Sequence, residues 1–568
     1  MRIPTIAVLT GPQPVDGDGQ LKADLSAIGA TVIEADGPAA AARAVASASA
    51  AGRVALVDRR LVAHQHALRL AIEDPRWSAA HCTGVLTVSG AARELLAGHL
   101  RALPDLTGHR VEGVSPAARL TAPRPLVPDD LAARLPESVR LHEVRLPVGL
   151  VATLVDAPLA ARKSAYADIA AVSDETVRLR ESVKADDGLF ATLFVSSYSR
   201  HLARWCARHG MSPNTVTVLS LLVALVGAVT AATGTRAGYV IAAVALYLSF
   251  VLDCTDGQLA RYSLNFSRIG SWLDATFDRA KEYAVYAGLA LGSARHGDDV
   301  WLLAAVAMAL QTLRHHIDFA FHEAQRGQPA PSARRGEATQ SPATEARQDP
   351  PAKNLGYWAR KVVILPIGER WALIALLTAL TSPRTTFTVL IAWGAVAAAY
   401  TTAGRVVRAR RSAPPPTDEA LAGLFAMSDI AAAPIAERRR LATPLGWLIP
   451  PSYHGLEYAL AIAVASQVHH ALPAAFAYLA AVIYHHYDVV YRIRAGASAP
   501  RWLTIAGCFG FEGRVIVLAV AGLFLGGSAH HALIPALLVL TGYLWVLFLG
   551  ESIRFWSRPA TPALPADV

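Results

Sequence analysis

Four aspartates crowd one stretch of this 568-residue chain: Asp253, Asp256, Asp274 and Asp278. Read as helix, Asp253 and Asp256 stand at i, i+3 on one face. Asp274 and Asp278 stand at i, i+4 on the next helix, so each pair points one way. A short turn between the two helices brings all four carboxylates together. Such a cluster carries about four negative charges at a low-dielectric boundary and repels itself unless countercharged. Two hard divalent cations, Mg²⁺ or Mn²⁺, suit it, because they prefer oxygen ligands and bridge to substrate phosphates. Gly257 and Gly270 let a bulky group approach the backbone, and Ala260 on the first helix leaves space beside them.

The elements that hold these residues belong to a membrane. The chain is 53% hydrophobic and 17% charged, with a mean hydropathy of +0.33. Those values exclude a disordered or fibrous chain and fit poorly with one soluble globule. Cys82, Cys206, Cys254 and Cys508 are scattered, with no CxxC spacing, which argues against a disulfide framework or a zinc finger and fits a reducing compartment. The first residues lack the basic start and apolar core of a signal peptide, so the N-terminus is expected in the cytoplasm.

Six apolar stretches are expected to cross: 215–233, 238–252, 270–291, 300–320, 371–380 with the broken run 362–367 before it, and 386–403. Four more follow near 458–468, 472–490, 505–525 and 532–549. Polar segments at 325–353 and 405–451 read as a flexible loop and a cytoplasmic linker. With the N-terminus inside, the outer loops hold only Arg236, Arg295 and Arg384, while the inner ones hold the remaining arginine clusters. This is the positive-inside pattern, and ten spans return the C-terminus to the cytoplasm. The excess of 53 Lys+Arg over 44 Asp+Glu therefore marks topology, and no nucleic-acid partner is expected. The N-terminus and the aspartates would face the cytoplasm from the inner (plasma) membrane.

Residues 1–156 read as a soluble α/β unit with an open, mostly parallel sheet, because short apolar runs (5–9, 31–34, 54–57, 84–88) alternate with helical stretches (38–51, 61–72). The Gly11–Gly19 loop after the first run has neither a GxGxxG nor a P-loop pattern and reads as an ordinary loop. Residues 189–210 form an amphipathic pattern, with Arg200, Arg204 and Arg208 spaced i, i+4, i+8 and Phe190, Phe194, Leu202 and Trp205 as apolar and aromatic partners. That places a helix in the membrane interface.

The spacing DxxDGxxARx8GxxxDxxxD, with Ser212-Pro213-Asn214-Thr215-Val216-Thr217 before it, resembles the signature of the CDP-alcohol phosphotransferase (CDP-alcohol phosphatidyltransferase) family across residues 184–410. The resemblance implies a mainly α, polytopic membrane bundle with a six-span core. It implies transfer of a phospho-alcohol group from a CDP-linked donor, CDP-diacylglycerol or a CDP-polyol, to a polyol or polyol-phosphate hydroxyl, releasing CMP. By position, Asp253, Asp256 and Asp274 would ligate metal, while Asp278 would complete the metal site and act as general base. Gly257, Ala260 and Gly270 would line the cytidine-diphosphate pocket, and Arg261 would brace a phosphate or an aspartate. The family also implies a homodimer.

Arg360, Lys361 and Arg370, with Glu369, are candidate acceptor contacts at the cytoplasmic end of the fifth span. Two other classes stay open: a membrane transporter or scaffold, and an intramembrane prenyltransferase, whose two Asp-rich motifs lie much further apart. The 1–156 unit resembles a nucleotidyltransferase domain by architecture alone and is expected to be degenerate or regulatory. The role of the four spans in 452–568 is open, and Glu457, His485, His486, Asp488, Glu512 and Arg514 in them are expected to snorkel to the membrane surface or to pair between helices.

Overall fold

The computed structural model describes residues 4–14, 17–49, 52–103, 126–135, 139, 141–155, 159–184, 187–327, 355–412, 415–431, 434–523 and 532–558. The expected loop at 325–353 lies outside them beyond Gly327.

The first unit is built from β1 (Thr5–Thr10), α1 (Gly19–Ala27), β2 (Thr31–Glu34), α2 (Pro38–Ser47), β3 (Arg53–Asp58), β4 (Leu61–Ala63), α3 (Gln65–Ile72), β5 (Ala79–Cys82), β6 (Val85–Ser89), α4 (Gly90–Ala102), α5 (Pro128–Ala132), β7 (His142–Glu143) and β8 (Ala152–Leu154). The main sheet runs β2-β1-β3-β6-β5-β7. β1 pairs in parallel with β2 and β3, as expected for an α/β unit. β6 is antiparallel to both neighbours. The sheet is therefore mixed, because Thr83 and Gly84, with φ +73° at the glycine, make a turn too short for a crossover. Burial pushes the Cys82 thiol up to about 11 and the His66 imidazole down to about 3, so both are neutral at pH 7.

Two helices extend this unit past the expected boundary: α6 (Leu159–Ala170) and α7 (Asp174–Glu181). Buried Arg162 donates to the carbonyls of Arg60 and Val155 at 2.9 and 3.1 Å. α7 also reaches the membrane half, where Arg178 donates to the Tyr262 carbonyl at 3.0 Å and Glu175 accepts from the Tyr262 hydroxyl at 2.9 Å.

The first bundle comprises α8 (Ser196–Arg208), preceded by one π-turn, then α9 (Pro213–Ala231), α10 (Arg236–Ser263), α11 (Arg268–Arg295), α12 (Trp301–Glu323), α13 (Leu355–Ile364), α14 (Ile367–Leu380) and α15 (Pro383–Ser412). The sequence sets their ends. Ser212, Thr235 and Ser267 cap α9, α10 and α11 by accepting from the third following backbone N–H, and Pro213 occupies the first turn of α9. Leu264, at φ 54°, ends α10 and opens the short turn into α11. α8 is amphipathic as expected, exposing Leu193, Phe194, Tyr198 and Trp205 on and just before it. α13 and α14 meet at a 65° bend, at Leu365-Pro366, where proline cannot continue a helix.

The expected linker is folded. α16 (Asp418–Met427) and α17 (Pro434–Leu441) bury Leu424, Met427 and Leu441 against α12 and the later helices. The last bundle is α18 (Ile449–Ser466), α19 (Leu472–Arg494), α20 (Arg501–Ala506), α21 (Gly510–Leu523) and α22 (Leu533–Trp556). It is not a separate body. Tyr286, Met308 and Trp371 of the first bundle share one apolar core with Tyr458, Leu479 and Phe548 of the last.

Helices occupy all ten apolar stretches, but the expected ten spans are not matched by composition. Among the described residues five helical segments are long and apolar enough to cross a membrane, or six counting the bent pair. α11, α12, α18 and α19 fall short because charged and histidine residues interrupt them. Close approach of α9 and α11 rests on Gly288 and Gly292, where an added Cβ would stand 2.2 Å from the carbonyl oxygens of Ala228 and Ala231. A Gly288→Leu substitution is therefore expected to force these helices apart and destabilise the fold by about 1–3 kcal/mol, measured as a lower thermal midpoint in detergent.

Candidate functional site

The turn between α10 and α11 delivers the aspartates as the spacing predicts. Carboxylate oxygens of Asp253, Asp256 and Asp274 lie within 4.8 Å of one another. Asp278 stands one turn along from Asp274 and faces Asp253 across Lys281. The Lys281 ammonium, fully buried, contacts Asp253, lies 3.2 Å from Asp278 Oδ1 and donates to Ser220 Oγ at 3.0 Å. Asp256 accepts from Thr217 Oγ1 at 2.6 Å. All donors of the trio are carboxylate oxygens, the set hard divalent cations favour, and one lysine cannot balance four carboxylates. These residues fit Mg²⁺ or Mn²⁺.

The four aspartates are brought together; the other candidates divide. Gly257 faces the Arg261 guanidinium, whose nearest nitrogens lie 3.5 Å from where a Cβ would be. Arg261 donates from Nε to the Ser182 carbonyl at 2.5 Å, which holds it beside the aspartate helices. Ala260 is half-buried next to it. Gly270 is covered by Asn214, whose side-chain oxygen lies 2.6 Å from the position of an added Cβ. The Ser212–Thr217 segment thus touches the motif twice, through Asn214 and Thr217.

Arg370 does not join Arg360 and Lys361. It is buried on α14 and paired with Glu282 at 2.9 and 3.0 Å, so it braces α11 rather than offering a charge to an incoming acceptor. Arg360 is exposed on α13, and the Lys361 ammonium lies over the Tyr357 ring at 5.6 Å. Glu369 caps the start of the interfacial segment by accepting from the backbone N–H of Leu189 and, at 3.4 Å, of Phe190.

Sequence reasoning missed Lys281, Arg279 and Glu282, because 270–291 reads as one apolar stretch. Three charges inside it were the available signal. Arg279 lies 3.9 Å from Asp278 and 3.6 Å from Glu282. It also approaches His315 Nδ1 at 3.2 Å, and that nitrogen is 2.6 Å from the Tyr487 hydroxyl of α19. Trp556 at the end of α22 stacks on Trp272 of α11 at 6.4 Å. The last bundle therefore packs against α11 and α12 through Tyr487 and Trp556. Glu457, His486, Asp488 and Arg514 pair between helices there, as expected.

In the first unit, Asp58 at the end of β3 is wholly buried and held by Arg60 at 2.9 and 3.1 Å. The Gly11 loop lies against it, 3.3 Å from an added Cβ. The strand-end carboxylate is thus taken up within the domain.

The acidic site thus lies where two helices meet, in a bundle of long apolar helices preceded by an amphipathic helix. Residues 210–400 match the family model for CDP-alcohol phosphatidyltransferase, and this segment is a domain of that family. Residues 372–568 match a family of unknown function, DUF5941. The chain is 31% identical over 121 residues to a phosphatidylinositol phosphate synthase of Streptomyces avermitilis, covering 21% of this chain and 49% of that protein. It is 36% identical over 112 residues to a phosphatidylinositol phosphate synthase of Mycobacterium bovis, covering 20% and 50%. An archaetidylinositol phosphate synthase of Pyrococcus horikoshii is 29% identical over 101 residues, covering 18% and 52%. The chain spans about half the length of the curated relatives it matches.

Replacing Lys281 with Met removes the ammonium between Asp253 and Asp278 and leaves the more distant Arg279, 3.9 Å from Asp278, as a counter-charge. Lys281→Met is expected to lose roughly 3–5 kcal/mol of stability in EDTA and to recover most of it with Mn²⁺, followed by thermal unfolding.

Proposed function

We propose that this chain transfers a phosphatidyl-type group from a CDP-linked donor, CDP-diacylglycerol, to a hydroxyl of a phosphorylated inositol-type polyol, releasing CMP at the cytoplasmic face of the membrane. The observation that carries this reading is the convergence of Asp253, Asp256 and Asp274 beside Asp278 and Lys281, within the domain that matches the family. The names of the relatives favour inositol phosphate as acceptor.

Asp253, Asp256 and Asp274 would hold Mg²⁺ or Mn²⁺, with Asp278 completing the set, and the bound cations would neutralise the diphosphate and the departing CMP. Asp278 is the base: its carboxylate takes the proton of the attacking acceptor hydroxyl. That oxygen then bonds to the β-phosphorus of the donor, and the bond from this phosphorus to the oxygen of CMP breaks. Lys281, fully buried 3.2 Å from Asp278 Oδ1, fixes the carboxylate. Gly257 and Ala260 leave the surface of α10 low for the cytidine diphosphate, Gly270 lets Asn214 pack closely on the start of α11, and Arg261 braces that wall. Arg360 and Lys361 are the acceptor-side cations; Arg370 acts through Glu282.

The first unit is proposed as a degenerate nucleotidyltransferase-like domain with a regulatory role. In support, its Asp58 is engaged by Arg60, while its Arg76 lies 4.4 Å over the Phe266 ring on the turn between the aspartate helices.

The purified full chain with Mn²⁺ or Mg²⁺, CDP-diacylglycerol and inositol phosphate is expected to release CMP, with other polyol phosphates poorer. Asp278→Asn is expected to lower that rate by about 10²–10⁴ with the fold retained. CMP release that persists in the variant, or none with any acceptor, refutes the reading.

A further inference from the structure

The N-terminal unit reaches the aspartate helices through α7, and the contact falls on the last turn of α10, which carries Arg261 and Tyr262. Arg178 of α7 donates from Nη2 to the Tyr262 carbonyl at 3.0 Å and lies 4.1 Å over its ring. Glu175, one turn earlier, accepts from the Tyr262 hydroxyl at 2.9 and 3.0 Å. Three guanidinium groups stand around that carboxylate: Arg178 at 3.9 Å, and Arg204 and Arg208 of α8 at 3.6 and 3.9 Å. On the other side of α7, Val177 and Leu179 are buried, and Asp174 accepts from the His66 backbone N–H at 3.2 Å. A helix of 8 residues is marginal alone, so these contacts decide where its ends lie.

The C-terminal end of α7 is where it meets the site. Ser182 ends the helix in a buried position, with its N–H on the Arg178 carbonyl at 3.0 Å and its hydroxyl on the Leu179 carbonyl at 2.8 Å. Its own carbonyl is one of those that a helix end leaves without an intrahelical partner, at the negative pole of the helix dipole. Arg261 fills that place, donating from Nε at 2.5 Å. A guanidinium is planar, so a fixed Nε restricts where the terminal nitrogens point. Both lie on the Gly257 side, 3.5 Å from the position of an added Cβ. Gly257 follows Asp256 in the chain and borders the space assigned to the cytidine diphosphate. Two parallel N–H donors of one arginine match a pair of phosphate oxygens.

We propose that α7 is a positioning element of the donor site: Glu175 and Arg178 seat it on Tyr262, and its Ser182 carbonyl aims Arg261 at the diphosphate of the CDP-linked donor. The inference rests on the reading of the aspartate helices as a CDP-donor site and adds what the N-terminal unit does for that site. Glu175, Arg178 and Ser182 act through Arg261 and are positioning residues. The coupling runs both ways, because two events linked through one structure favour each other by the same factor. A seated α7 tightens the donor, and a bound donor steadies α7.

The test uses the full chain in detergent with Mn²⁺, and CDP as the probe, so it does not depend on the acceptor. Arg178→Met is expected to weaken CDP binding about tenfold in calorimetry, the equivalent of one hydrogen bond to a charged group. In turnover the same variant is expected to raise KM for CDP-diacylglycerol about tenfold, with kcat and KM for inositol phosphate near wild type. Arg178→Lys, which keeps a cation over the Tyr262 ring, is expected to recover part of the affinity. Loss of folded protein alone would lower kcat and leave CDP affinity unmoved. Because Arg178→Met risks misfolding, hydrogen–deuterium exchange is also followed in wild-type protein, where CDP with Mn²⁺ is expected to slow the backbone amides of 176–183. Unchanged CDP affinity in folded Arg178→Met overturns the proposal, as does unchanged exchange in α7 of wild type that has bound CDP. Wild type that shows both effects but releases no CMP supports the proposal and refutes the transfer reaction. Wild type that does not bind CDP overturns both.

Discussion

Carboxylates drawn together away from water must be countercharged, and much of the membrane half follows from that constraint. Asp253, Asp256, Asp274 and Asp278 sit on the facing ends of α10 and α11, and Lys281 reaches them from one turn further along α11. An ammonium with no solvent exposure is stable only where its donors are used. Ser220 of α9 takes one, and the Trp371 ring of α14 lies 5.3 Å from the nitrogen. The packing of α9 and α14 against the aspartate helices is thus part of the electrostatics. Behind Lys281, Glu282 and Arg370 repeat the arrangement with the signs exchanged.

The same alternation continues into the last bundle and explains the division of the helices by hydropathy. α11, α12, α18 and α19 carry their charged and histidine residues toward one another, as in the Arg279–His315–Tyr487 contacts and the approach of His316 to His454 at 3.2 Å. α9, α10, α15, α21 and α22 present apolar side chains outward, among them Leu222, Val240, Val396, Ile516 and Val546. The bundle has a polar interior ring and an apolar exterior, the arrangement expected when the surroundings are hydrocarbon. Such polar interiors are held by pairing, so helices that look too polar to cross belong to the structure's centre.

What was legible in the sequence is what local rules control. The i, i+3 and i, i+4 spacings put the aspartates on single faces of two helices joined by a short turn. The positions of all ten apolar stretches and the parallel pairing of β1 with β2 and β3 follow from periodicity. What escaped depends on contacts between distant segments. Arg370 reads as an anchoring charge near a membrane surface until Glu282, far away in the chain, is seen beside it. Lys281 is hidden because its hydrophobic stem and neighbours raise the local average. The 411–451 segment reads as a linker because its prolines and arginines mask the Leu424, Met427 and Leu441 face. The antiparallel β6 turns on a single glycine.

The apolar core shared by the two bundles has a consequence in time. A ribosome adds about 5–20 residues per second, so α12 and α14 are complete for on the order of ten seconds before α19 and α22 exist to cover them. During that interval the inner faces carrying Met308, His315 and His316 have lipid, translocation machinery or one another as their only company. The aspartate helices can assemble early, since α9, α10 and α11 are consecutive, but the packing supplied by Tyr487 and Trp556 arrives last. The order of synthesis therefore makes the charged cluster first and packs the last helices against it afterwards.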